Sequence, residues 1–213
     1  MDARLLLLLD SRSPAGAHSH SAGMEAAIQA GFVTTLDDVR AFCRGRLHTT
    51  ARVAAAFAAS AAAGVDPAAL DAEFDARTPS RATRDASRAL GAGLRRLIVA
   101  TVPGTALGRH HQPVMLGLGV RLAGGTPLLA ARASLLGNCT APASAAVRLL
   151  GLDPYGAHTV TAQLAEEIEE IALQAASDAV GAVDPAQLPS DSAPVLDILA
   201  DVHNREEMRL FAS

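Results

Sequence analysis

The chain predicts an all-α fold: a single helical bundle spanning 1–213, with a looser C-terminal segment at 184–213. Three observations predict it. Apolar residues recur at helical spacing, with no strand-like alternation of any length. Capping residues followed by proline recur along the chain, as at Asp66-Pro67, Thr126-Pro127, Asp153-Pro154 and Asp184-Pro185. Aromatics make up only 3% of 213 residues while Ala and Gly are abundant, so the helices should approach one another through small side chains. Half of the chain is apolar, enough for one domain with a sizeable core.

Taken in order, the elements begin with the run Leu5–Leu9, which Asp10 and Ser11 stop before it reaches the length of a signal-peptide core or a membrane span. The stretch "DSRSPAGAHSHSAGMEAAIQAG", Asp10–Gly31, reads as a loop opening an Ala-rich helix. Thr35-Leu-Asp-Asp38 has the form of a capping box, with Asp in the place more often held by Glu. After it, Leu36, Val39, Cys43, Leu47, Thr50, Val53 and Phe57 form a continuous helical stripe. The Ala-rich run Val53–Val65 is bounded by Arg52 and Asp66 and is too short to span a membrane. A helix over about Ser80–Ala100 sets Ala86, Leu90, Leu94 and Leu97 on one side and Arg81, Arg84, Arg88 and Arg95 on the other. Another, over about Asp153–Val180, gathers Leu164, Ile168, Ile171 and Ala175, with Glu166, Glu167, Glu169 and Glu170 on its polar face. Beyond Asp184 the prolines Pro185, Pro189 and Pro194 interrupt the pattern.

Charge and composition exclude several chemistries. The 22 acidic residues outnumber 18 basic ones, and every basic residue is Arg. Without Lys there is no Walker phosphate loop, Schiff-base lysine or lysine general base, so any nucleotide hydrolysis belongs to a partner. A net charge of −4 also lacks the basic bias of a nucleic-acid binder. Cys43 and Cys139 belong to no CxxC pair and read as buried free thiols rather than a disulfide or ligands. The histidines, His18, His20, His48, His110, His111, His158 and His203, form no HExxH motif and have no Cys-rich companion. His18 and His20 diverge whether extended or helical, as do His110 and His111, so neither pair chelates one ion unaided. No GxSxG elbow is present. Two readings from other classes remain: a metal-dependent hydrolase using the histidines and the Glu166–Glu170 cluster, and a nucleic-acid regulator using the Arg81–Arg95 face. Both faces read more simply as solvated surface.

Taken whole, the opening stretch resembles the signature of the UreF family of urease accessory proteins: Asp10-Ser11, then Pro14-Ala15-Gly16, then Ser19-His20-Ser21, Gly23, Met24-Glu25 and Ala26-Ala27. The resemblance continues through "SRALGAGLRRL" (Ser87–Leu97), "HQPVMLGLGVRLAG" (His111–Gly124) and "SAAVRLLGL" (Ser144–Leu152). It ends in the terminal segment Ser190–Ser213, with its Arg209-Leu210-Phe211. The chain departs from the family pattern at "LDPYGAH", where Pro154 and His158 stand in place of a usual pair of glutamines. In the tail it departs at His203-Asn204, Glu207 and Ala212.

The resemblance implies an all-helical, head-to-head homodimer that is not an enzyme. It implies a chaperone for nickel insertion into urease: a cytoplasmic protein that binds UreD (UreH in some organisms), recruits the GTPase UreG and docks on the urease apoprotein. No catalytic, cofactor or metal residue is expected in this chain, since nickel and GTP are handled by the partner complex, and neither nucleic acid nor membrane is an expected partner. His203, Arg209, Leu210 and Phe211 are the expected partner-binding residues. Asp10, Ser11, Pro14, Gly16, Ser19, His20, Ser21, Gly23 and Glu25 form the signature loop that opens the first long helix. An apolar pair beside an Arg in a segment too irregular to fold firmly alone suits anchoring in a partner's groove.

Overall fold

The computed structural model describes residues 3–10, 20–181 and 184–204. The described residues are overwhelmingly helical and contain no β-strand. The chain order is α1 (Ala3–Leu9), α2 (Met24–Gln29), α3 (Leu36–Arg46), a π-helical turn (Leu47–Ala51), α4 (Arg52–Ala63), α5 (Pro67–Ala76), α6 (Arg81–Thr101), α7 (Gln112–Leu122), α8 (Pro127–Leu150), α9 (Pro154–Gln163), α10 (Ala165–Gly181), a 3-10 turn (Pro185–Gln187) and α11 (Pro194–His203).

The local rules place the helix starts. Thr35 and Asp38 close a reciprocal capping box on α3, each side chain accepting from the other residue's backbone amide. Asp66, Thr126 and Asp153 accept from first-turn amides of α5, α8 and α9, with proline following each. Asp184-Pro185 opens only one 3-10 turn, although its side chain also caps, accepting from the Ala186 amide at 2.9 Å. Pro194, expected to interrupt the chain, instead opens α11 at the first helical position.

Helix α4 is the axis of the molecule. It is apolar all round, and ten of its residues, from Val53 to Ala62, are buried, as an interior helix must be. The larger core lies on one side, where Phe57, Ala55 and Ala59 meet Leu70, Leu135, Cys139, Leu164 and Ile168. On the other side Ala58 and Ala62 join Leu5, Leu8, Leu94, Ile98, Met115 and Val120. The small side chains permit close approach: a Cβ on Gly117 of α7 would sit 2.1 Å from the Ala58 carbonyl oxygen, so only glycine allows α7 to lie against α4 there. Phe57 anchors the larger core, edge-on to Phe74 at 5.3 Å between ring centroids, with the Arg77 guanidinium 5.5 Å above its ring.

Two long elements differ from their sequence-based expectation. The stripe from Leu36 to Phe57 is continuous but passes through the π-helical turn, where Thr49 leaves helical geometry (φ −127°, ψ −107°) and its hydroxyl donates back to the Gly45 carbonyl. The helix expected over Asp153–Val180 is divided at Leu164, whose amide bonds the Thr161 carbonyl in a turn. Leu164 and Ile168 are buried beside Val160 on both sides of that break, so the apolar period runs through it unaltered.

Candidate functional site

The signature region builds a tight platform. Of its residues, Asp10, His20, Ser21, Gly23 and Glu25 are described, whereas Ser11, Pro14, Gly16 and Ser19 lie outside the described residues, with His18. Ala22 and Gly23 both have left-handed backbones, with φ of 53° and 86°. Glycine is the favoured residue at Gly23, the N-cap of α2, for that reason. The turn delivers α2 with Met24, Glu25, Ala26 and Ala27 all buried.

Burial of Glu25 requires a polar partner, and the fold supplies it from the far end of the described chain. The Glu25 Oε2 atom lies 3.2 Å from His203 Nε2, with side chains 4% and 1% exposed. The other imidazole nitrogen, Nδ1, lies 3.1 Å from Gln29 Oε1, one helical turn along α2. Two groups given separate roles by the sequence, a signature glutamate and a tail histidine, thus meet. His203, expected from the sequence at a partner-binding position, faces inward and is 1% exposed. Arg209, Leu210 and Phe211 lie outside the described residues.

The rest of the C-terminal segment is held mainly by polar contacts. Arg77 donates to the carbonyl oxygens of Ala186 (2.9 Å), Leu188 (3.3 Å) and Pro189 (3.1 Å). Arg52 pairs with Asp191 at 3.2 Å. Asp201 accepts from the Ser80 hydroxyl at 2.7 Å and the Ala82 amide at 3.2 Å, joining α11 to the first turn of α6. Burial, with Asp201 close by, pushes the Asp197 carboxyl above the ordinary range. Apolar burial is sparse: Leu188 and Ala200 are covered, but Val195, Ile198 and Val202 are 58%, 63% and 51% exposed. These three follow i, i+3, i+7 spacing on one face of α11. That pattern was readable after Pro194, but treating the proline as an interruption concealed it.

The arginine row of α6 is spent within the fold. Arg88 pairs with Asp75 (2.7 Å) and Asp71 (3.2 Å) of α5. Arg84 donates to the Thr78 and Pro79 carbonyls, Arg95 to the Leu107 carbonyl, and Arg81 lies 3.6 Å from Asp85. Neither a phosphate-gripping face nor a merely solvated one is the outcome. Arg88, and then His111, hold the Asp75 carboxyl below its usual range. His111, fully buried at the N-cap of α7, has Nε2 3.0 Å from Asp75 and its backbone amide on Asp71 at 2.6 Å. Burial pushes its pKa down, against the smaller opposing pull of Asp75.

The acidic face of α10 resolves in a similar way. Glu167 accepts from Arg44 and lies 2.9 Å from His48, and these two partners hold its carboxyl below the usual range. Glu169 pairs with Arg132 of α8, while Glu166 and Glu170 are exposed. Glu167 and Glu169 therefore reach toward different helices rather than toward one point. Cys43 and Cys139 are free, buried and adjacent, with Cys43 Sγ 3.7 Å from the Cys139 carbonyl oxygen. Pro154 occupies the first position of α9, and His158 lines a shallow groove beside Arg148, Ser144 and Thr161.

These contacts define an all-α scaffold in which charged side chains fasten helix to helix. Among the described residues no three His, Cys, Asp or Glu side chains converge as a metal site would require. No described helix is long and apolar enough to cross a membrane. The family model for UreF matches residues 33–165, and the chain belongs to the UreF family. It is 44% identical to the urease accessory protein UreF of Mycobacterium sp. (strain JLS), over 98% of this chain and 97% of that protein. It is also 44% identical to the UreF of Mycobacterium marinum, over 99% of this chain and 98% of that one. Identity to the UreF of Mycobacterium tuberculosis H37Rv is 42%, with the same coverage.

Proposed function

We propose that this protein is a urease accessory protein acting in urease maturation, a cytoplasmic chaperone for nickel insertion that catalyses no reaction itself. It binds UreD (UreH) and with it recruits the GTPase UreG to the urease apoprotein, working as a homodimer. Nickel is the cargo and GTP the substrate of UreG, so neither is a resident cofactor of this chain. Whole-length similarity to proteins named as urease accessory proteins supports the part in urease maturation. Within the molecule, the observation that carries it is the uncovered stripe Val195, Ile198 and Val202 on α11. An apolar face on a helix fastened by polar contacts is suited to a partner, because docking the partner supplies the burial the helix lacks. The stripe leads directly into the segment bearing Arg209, Leu210 and Phe211.

Urease activation in a host expressing the remaining urease genes tests the reading. Deleting Arg205–Ser213, or introducing Ile198→Glu, should leave far-UV circular dichroism and dimerisation intact while abolishing activation. Arg209→Ala and Phe211→Ala should each weaken capture of the partners by about 1–3 kcal/mol, as interface anchors do. Full activation by both the truncated chain and the Ile198→Glu variant would reject it.

A further inference from the structure

Helix α11 is held by only limited hydrophobic burial: Leu199 is partly buried against the larger core and Ala200 is covered. Ten residues make a helix of marginal stability in water, and the buried residues of α11 are Ala200 and His203. Its polar anchors therefore add to that burial in setting its position. Asp201, on Ser80 and the Ala82 amide, fastens the start of the last turn to α6. The last turn is fastened to α2, where His203 enters a pocket made by Glu25 and Gln29. The Gln29 amide oxygen lies in hydrogen-bond geometry 3.1 Å from Nδ1, while the Glu25 carboxylate lies 3.2 Å from Nε2 as an ion-pair contact. These contacts hold the last turn of α11 against α2 in a setting that leaves Val195, Ile198 and Val202 facing outward.

The platform is itself rigid. Met24 is fully buried beside Glu25, and the left-handed pair Ala22-Gly23 fixes the direction from which α2 starts. We propose that Glu25 is a positioning residue for partner recognition. Through His203 it seats the last turn of α11, and so sets both the orientation of the apolar stripe and the point from which residues 205–213 continue. The inference rests on the reading of α11 and the tail as the partner-binding surface. It assigns the signature glutamate a role in docking without contact with the partner.

The test uses the full chain with two readouts: hydrogen exchange of backbone amides, and capture of co-expressed, tagged UreD. Glu25→Ala should accelerate exchange over Asp197–Asn204 at least tenfold while leaving α4 and α8 unchanged, and should reduce capture at least tenfold. Glu25→Gln, which keeps an oxygen acceptor at the same reach, should recover most of both. Val160→Ala, a core truncation in α9, serves as a control that lowers Tm without touching α11; it should leave capture intact. Unchanged exchange over α11 in Glu25→Ala overturns the seating. Faster exchange with undiminished capture overturns the role in recognition, as does a loss of capture that Val160→Ala reproduces at a matched Tm. If Ile198→Glu and the chain lacking 205–213 both capture UreD normally, the docking reading itself falls, whereas the exchange arm still reports on the Glu25–His203 contact.

Discussion

His111 shows how a single side chain couples this fold to pH. Its imidazole is fully buried against Phe74, with ring centroids 5.1 Å apart, and Asp71, Asp75, Arg88 and His110 surround it. Burial disfavours the charged form, so the folded pKa lies below the ordinary 6.5. The unfolded chain then takes up the proton more readily. Stability from this residue is complete above 6.5 and is lost as pH falls through the lowered folded value. Asp75 and Glu167 act in a second, more acidic window, because their lowered carboxyls contribute stability that disappears only below the usual values of 3.8 and 4.5. Urea midpoints measured from pH 7.5 to pH 3 should therefore decline in two stages. His111→Gln, neutral and able to donate to Asp75, should flatten the first stage and leave the second; an unchanged first stage would show that His111 does not set it.

At the scale of elements, the contact between α4 and α7 depends on one missing methyl group. A Cβ at Gly117 would lie 2.1 Å from the Ala58 carbonyl oxygen and 2.7 Å from the Ala61 Cβ, and backbone on a buried helix cannot yield as the end of a side chain can. Gly117→Ala gains helix propensity of about 1 kcal/mol but overpacks this seam, and overpacking costs about 1–3 kcal/mol. The variant should be destabilised in urea, whereas Gly137→Ala in α8, which meets nothing within 4 Å, should be neutral or stabilising. The same contrast explains what could be read from sequence. Thr35-Asp38 and Asp66-Pro67 were legible because a cap and its amides are neighbours in the chain. The division at Leu164 was not, because the buried positions keep their period across it. Nor were the partners of Arg88 and Glu167, since a row of charges on one helix carries no record of Asp75 or Arg44 on another.

For the whole molecule the consequence is two levels of stability. The central body around α4 is held by extensive apolar burial, while 184–204 is fastened to it by Arg52, Arg77, Ser80 and the Glu25–His203 contact, with Leu188 and Ala200 covered and Leu199 partly buried against the core. A unit with few buried apolar contacts opens at lower free energy than the body it rests on. Composition and periodicity made the all-α bundle legible. They could not show that the segment after Asp184 is ordered by arginine on carbonyl oxygens, because Arg77 sits more than a hundred positions earlier. Arg77→Met probes the two levels, since it removes the donors to Ala186, Leu188 and Pro189 together with the guanidinium over Phe57 and the ion pair to Glu73. A hydrogen bond from a charged donor contributes about 1.5–3 kcal/mol, so amides over 186–191 should exchange at least tenfold faster in the variant. The α4 amides should be accelerated much less, by no more than the lost contacts to Phe57 and Glu73 contribute. Equal acceleration in α4 would mean that the segment and the body unfold as one cooperative unit, and that this end of the molecule is as firmly held as its core.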